Sequence, residues 1–106
     1  MAKYLVEASY TEDGIKGVLD KGGSSRPEAV KHLVEGIGGS MEAFYFAFGD
    51  ADAFVIVDLP DNVSASAVAL AVNASGAASA KTTVLLTPEE VDQATKKAVD
   101  YKPPGD

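Results

Sequence analysis

One stretch of the chain, residues 40–61, is apolar over most of its length and is interrupted by a single short polar turn. Two runs rich in aromatic and β-branched residues, Ala43–Phe48 and Ala53–Leu59, flank the turn Gly49–Asp52, a pattern typical of a β-hairpin. A strand with one solvent-exposed face alternates apolar and polar side chains, but here the even-numbered and the odd-numbered positions are both mostly apolar. We therefore expect both faces of this hairpin to be covered, one by helices of the same chain and the other by a second copy of the protein.

Hydrophobic periodicity and capping signals predict the elements around the hairpin. Strands are predicted over Tyr4–Tyr10 and Lys81–Leu86, and helices after Thr11, from Ser25 to Ile37, from Val63 to about Ser75, and from Pro88 to about Val99. Ser25 and Glu28 have the spacing of a capping box. In the third helix the spacing predicts a core stripe of Val63, Ala67, Leu70, Ala71 and Ala74, but the far side is apolar too, so this helix is expected to be buried on two sides.

The predicted order is strand, helix in two pieces, strand, strand, helix, strand, followed by a terminal helix. This order is typical of a ferredoxin-like α+β fold, in which helices cover one face of a four-stranded antiparallel sheet. The other face would be uncovered and apolar in a monomer, and we expect it to pair with a second copy across a twofold axis. One domain over residues 1–99 and a flexible or partner-docking tail over residues 100–106 are expected.

Charge and composition narrow the range of partners. Nine basic and sixteen acidic residues give a formal charge of −7, which disfavours nucleic acid and anionic membrane surfaces as partners. The chain has no cysteine, so thiolate catalysis, disulfides and cysteine-ligated metals are excluded. Its start lacks the apolar core of a signal peptide and no run approaches the roughly 20 apolar residues of a membrane span, so a cytoplasmic location is expected.

The hairpin also carries a family resemblance. Residues 44–52 (FYFAFGDAD), followed by Phe54–Val57 and Pro60-Asp61, resemble the GYD domain family of small bacterial proteins, with further support from residues 9–15, Gly38-Gly39 and Lys81–Thr83. Gly49 and Asp52 stand at the family's glycine and aspartate positions, whereas Ala51 takes the place of its tyrosine. The resemblance implies a dimeric α+β barrel and a homo-oligomer, and it implies no particular reaction.

Candidate site residues follow from side-chain chemistry and position. Asp50 and Asp52 lie on the hairpin turn, where aspartate is a favoured turn former; Asp52, next to the buried strand, is the better candidate for a general base, with Tyr45 as its acid-base partner. Other residues could line a ligand cavity: Tyr4, Tyr10, Phe46, Asp50 and Thr83. His32, the only histidine, is predicted to lie on the polar side of its helix. No metal site is expected, because a metal needs at least three converging ligands. No cofactor is expected either.

Three functions are compatible with these features. The first is binding of a small apolar or aromatic molecule in an aromatic pocket between sheet and helices. The second is a cofactor-independent enzyme of the monooxygenase, isomerase or lyase type, using Asp52 with Tyr45 or Tyr10. The third is a purely structural assembly protein with no ligand.

Overall fold

A computed structural model describes all 106 residues of the chain. Four strands and four helices follow one another in the order that the sequence predicts. In chain order they are β1 (Ala2–Tyr10), α1 (Glu12–Lys21), α2 (Ser25–Gly36), β2 (Ser40–Phe46), β3 (Ala53–Leu59), α3 (Asn62–Ala74), β4 (Ala78–Leu85) and α4 (Pro88–Thr95).

The four strands form one antiparallel sheet in the order β2-β3-β1-β4. The two central strands are β1 and β3, and the register sets Tyr4 of β1 between Val57 of β3 and Val84 of β4. This order confirms the predicted ferredoxin-like α+β fold.

The core lies between one face of the sheet and the helices. Every second residue of β3 is buried, namely Ala53, Val55, Val57 and Leu59. Tyr4, Val34 of α2 and Ala65 of α3 complete the buried cluster. Successive strand residues point to opposite faces, so Phe54 and Ile56 lie on the face that no helix covers.

Capping residues fix the helix starts, and one of them differs from the prediction. Thr11 accepts a hydrogen bond from the Gly14 N–H at the start of α1, and Thr87 and Glu90 form a reciprocal capping box on α4. At α2 the predicted capping box is wrong: the helix already includes Ser25, whose hydroxyl donates to the Gly22 carbonyl oxygen at 2.8 Å. Ser24 is then the N-cap, and its side chain makes no capping hydrogen bond.

Helix α3 is turned the other way from the prediction. Ala65 is buried and Val68, Ala69 and Val72 are half-buried against the sheet, whereas the predicted core stripe faces outward. In that stripe Val63 and Leu70 are 79% and 71% exposed. The spacing could not separate the two sides because both consist of alanine and small or medium apolar residues.

Several element ends also differ from the prediction. Strand β2 begins at Ser40 and ends at Phe46, so Phe48 lies fully exposed in the turn. Strand β4 begins three residues earlier than predicted, and α4 ends at Thr95 rather than at about Val99. None of the four helices has both the length and the apolar composition that a membrane span requires.

The C-terminal part of the chain stands apart from the sheet and the first three helices. Every residue from Pro88 to Asp106 is exposed, and α4 has few contacts with any other element. The molecule is accordingly elongated, with dimensions of 57 × 33 × 23 Å.

Candidate ligand cleft

The largest opening lies between the helices on the covered side of the sheet. It is a cleft of about 450 Å³ between the first residues of α2 and the last residues of α3, with α1 along its third side. Apolar residues form half of its lining, and the charged groups are Asp13, Lys21 and Arg26. We call this opening the main cleft.

A smaller inner void of about 60 Å³ continues from the main cleft toward the sheet. The two share Tyr10, Arg26, Leu33, Val72 and Ala78 in their linings. The rest of the inner wall is apolar, with valines from β1, β3, α2 and α3 and the ring of Phe44. Arg26 is the only charged residue of the inner void.

The guanidinium of Arg26 packs on an aromatic ring, and its buried nitrogen has no hydrogen-bond partner. Its central carbon lies 5.8 Å from the centre of the Tyr10 ring, a cation–π distance. Its Nε is buried and makes no hydrogen bond, and it is the only buried side-chain nitrogen or oxygen in the chain of which this is true. Arg26 also forms no ion pair. Such a group normally has a hydrogen-bond partner, so its position at the cleft calls for an explanation.

A third opening, the side groove, lies next to the hairpin turn. It measures about 400 Å³ and is lined by Tyr10, Phe46, Phe48 and Asp52, with Ile15 and Val18 of α1. Asp52 forms two hydrogen bonds with the backbone of β1. One of its carboxylate oxygens accepts from the Tyr10 N–H at 2.8 Å, and its own N–H donates to the Ala8 carbonyl oxygen at 2.8 Å. The side chain thereby ties the hairpin turn to the end of β1.

The structure brings three of the predicted site residues together and separates the others. Tyr10, Phe46 and Asp52 line the side groove. Tyr4 lies in the core, 1% exposed, and its hydroxyl donates to Asn62 Oδ1 at 2.6 Å. Asp50 lies exposed in the hairpin turn.

Tyr45 and Thr83 lie on the face of the sheet that no helix covers. Tyr45 is paired with Phe54, and Thr83 with Leu5. Tyr45 is 72% exposed. Its side chain therefore lies across the sheet from the openings that Asp52 and Tyr10 line. His32 is exposed on α2, as its helical position predicts.

Sequence reasoning missed Arg26. It is the only arginine in the chain, and it stands in the first turn of α2, where the helix macrodipole favours carboxylates and disfavours cations. A single arginine in an unfavourable place is a signal that could have been used. The apparent capping box Ser25-x-x-Glu28 already explained why a helix begins at this segment, so the unusual position of Arg26 drew no attention.

Two ionisable groups have clearly shifted pKa values, and neither lines the main cleft. The pKa of Lys3 is raised, first by its hydrogen bond to Glu42 and then by that to Asp58, both at 3.1 Å. The pKa of Asp61 is lowered by hydrogen bonds from Ser64. Nowhere in the chain do three histidine, aspartate or glutamate side chains come close enough together to hold a metal ion.

Fold and cleft together define a class: a ferredoxin-like α+β protein with a ligand-sized opening between its sheet and its helices. The family model for the GYD domain matches residues 4–95, and the chain belongs to that family. No curated protein and no solved structure matches the chain.

Proposed function

We propose that the protein binds a small, partly apolar molecule in the main cleft and that it works as a homodimer. The observation that carries the binding proposal is the cleft itself. Its volume of about 450 Å³ falls in the range of small-molecule sites, which are mostly apolar with a few polar groups. Tyr10, at the meeting point of all three openings, supplies the aromatic wall.

Binding is better supported than catalysis. The carboxylate of Asp52, the best candidate base, already accepts a backbone hydrogen bond from Tyr10. Tyr45, its proposed acid-base partner, lies on the opposite face of the sheet. A purely structural role would have led us to expect a filled interior between sheet and helices, and the inner void and main cleft argue against that alternative.

The dimer proposal rests on the face of the sheet that no helix covers. Leu5, Phe54 and Ile56 are only half-buried there, and Tyr45 is largely exposed. Glu7, which is paired with Phe54, and Lys81 lie on the same face. An exposed apolar cluster of this kind commonly marks an interface, and a twofold axis would pair the cluster with itself. The ion pairs of Lys3 with Glu42 and Asp58 would lie at the end of this interface.

The binding proposal is tested by obstructing the main cleft. Ala71 is exposed on α3 and lines the cleft, so Ala71→Trp would place an indole in it without disturbing the core. We expect the affinity for the neutral fluorescent probe N-phenyl-1-naphthylamine to fall by about tenfold or more, because the indole would occupy the space that the probe needs. A tenfold fall corresponds to a loss of roughly 1.4 kcal/mol of binding free energy.

The matched control is Ala67→Trp, one helical turn earlier on the same exposed side but outside the cleft lining. It should bind the probe as the unmodified protein does. Equal loss in both variants, or no loss in either, would show that the probe binds elsewhere and would remove the cleft as the site.

A further inference from the structure

The charge of Arg26 is held in a place that disfavours it in two independent ways. It lies in the first turn of α2, where the partial positive charge of the helix end opposes a cation. Its Nε is buried without a hydrogen-bond partner, and a buried donor is costly to leave unpaired, although Arg26 as a residue is only half-buried. Contact with the Tyr10 ring offsets only part of this. An anion beside the guanidinium would offset its charge.

The charges around the main cleft fit an anion of a single charge. Lys21 and Arg26 are opposed by Asp13 alone, which leaves one net positive charge in the lining of a protein whose overall charge is −7. A phosphate monoester carries nearly two negative charges near neutral pH and would be left partly unpaired here. A carboxylate carries one, and its two oxygens match the planar fork formed by the two terminal nitrogens of arginine, which are not buried.

The inner void sets the size of the apolar end. Arg26 lies where the main cleft meets the void, so an anion bound to it places the rest of the molecule within reach of both. A cavity of about 150 Å³ accommodates a benzene ring. The void of about 60 Å³ is less than half that size, so it takes a short aliphatic group and excludes a ring.

We propose that the ligand of the main cleft is a small aliphatic monocarboxylate whose carboxylate pairs with Arg26 and whose alkyl end enters the inner void. This inference rests on the proposed function, because it names the class of molecule that the cleft binds. Tyr10 holds the guanidinium in place, and Lys21 adds a second positive charge at the rim.

The test compares two ligands that differ only in the head group. The full-length ¹⁵N-labelled protein is titrated with sodium hexanoate and with 1-hexanol, and the amide shifts of Tyr10, Leu33 and Val72 report occupancy of the cleft. We expect hexanoate to bind about tenfold more tightly, since hydrogen bonds to charged groups are worth at least that factor.

Arg26→Met should bring the affinity for hexanoate down to that for hexanol. Arg26→Lys, which keeps the charge but lacks the planar fork, should lose most of the preference. The control Lys31→Met removes an exposed charge from the same helix and should change neither affinity. Because methionine has no donor to leave unpaired, the melting temperature of Arg26→Met should be equal to or above that of the unmodified protein.

Each other result has a definite meaning. If hexanoate and hexanol shift the cleft amides with equal affinity, the carboxylate inference fails and the binding proposal stands. If neither shifts them, both fail. If Arg26→Met weakens both ligands equally and lowers the melting temperature, Arg26 is a structural residue and the inference is overturned.

Discussion

Asp61 shows how a single side chain starts an element in this protein. It is the N-cap of α3, and its carboxylate accepts the Ser64 N–H at 2.8 Å. A hydrogen bond from the first turn favours the ionised form, so the pKa of Asp61 is lowered from its ordinary value of 3.8. The folded state therefore binds this proton less tightly than the unfolded chain does.

A pH dependence follows from that shift. The stabilisation from ionised Asp61 is present above the unfolded-state pKa near 3.8 and is lost as the pH falls through the lower folded-state pKa. Asp61→Asn keeps a good N-cap but cannot ionise. We expect the unmodified protein to be the more stable of the two at pH 7, and this gap to shrink at pH 3, measured by urea denaturation at both values.

Asp61→Ala is the matched control for the cap itself. It removes the hydrogen-bond acceptor as well as the charge, so it should be less stable than Asp61→Asn at both pH values. A gap between the unmodified protein and Asp61→Asn that stays constant from pH 7 to pH 3 would contradict the assigned pKa shift.

The tyrosines show where residue-level prediction stops. Tyr4, Tyr10 and Tyr45 all lie in strands, and they lie respectively in the core, beside the clefts and on the uncovered face. Which face a strand residue occupies depends on its register with the neighbouring strand, and that register is set by the whole sheet. The suggested roles of Asp52, Tyr45 and the cavity residues stay predictions.

At the scale of elements, sequence pattern was most reliable where burial was strongest. The bounds of β3 were predicted to the residue because its run of β-branched residues ends sharply at a turn and at Pro60. Helix α3 was placed within one residue at each end, yet its orientation was wrong because neither side is polar. Patterns of polarity determine orientation only when the polarity differs between faces.

Helix α1 contains two glycines with opposite surroundings, and they make a matched pair. A methyl group at Gly14 would overlap the carbonyl oxygen of Ala77, the residue just before β4, whereas nothing lies within 4 Å of a methyl group at Gly17. Gly14 thus allows α1 to pack closely against the segment before β4. Gly17 makes no such close contact, and its main effect is to give the unfolded chain more conformational freedom to lose on folding.

We expect Gly14→Ala to lower the free energy of unfolding by about 2 kcal/mol, the usual cost of forcing an extra carbon into a packed site. Gly17→Ala should raise it by about 0.5–1 kcal/mol through helix propensity. Chemical denaturation measures both changes. If both variants change stability in the same direction, α1 is not packed on Ala77 as described.

At the scale of the whole molecule, the uncovered sheet face leaves apolar side chains exposed to solvent in a single chain. The dimer proposal predicts a solution mass of twice 10.9 kDa for the unmodified protein. Tyr45→Glu should reduce it to that of one chain, because it places a charge on the apolar face at a site so exposed that a lone protomer tolerates it. Light scattering coupled to concentration measures the mass directly.

Tyr101→Glu is the control for that experiment. Tyr101 is 69% exposed, close to the value for Tyr45, but it lies in the tail. It should leave the mass unchanged. A mass of one chain for the unmodified protein at concentrations up to the millimolar range would remove the dimer proposal.

Helix α4 and the tail, which stand apart from the rest of the molecule, affect how the oligomeric state can be measured. They lengthen the molecule without enlarging its core, and the radius of gyration is 16.9 Å. A compact chain of this length would have about 13 Å, and the observed value corresponds to a compact globule of about 210 residues. A lone protomer would therefore leave a gel-filtration column somewhat ahead of a rounded protein of the same mass, and that displacement would lie in the direction that association also predicts.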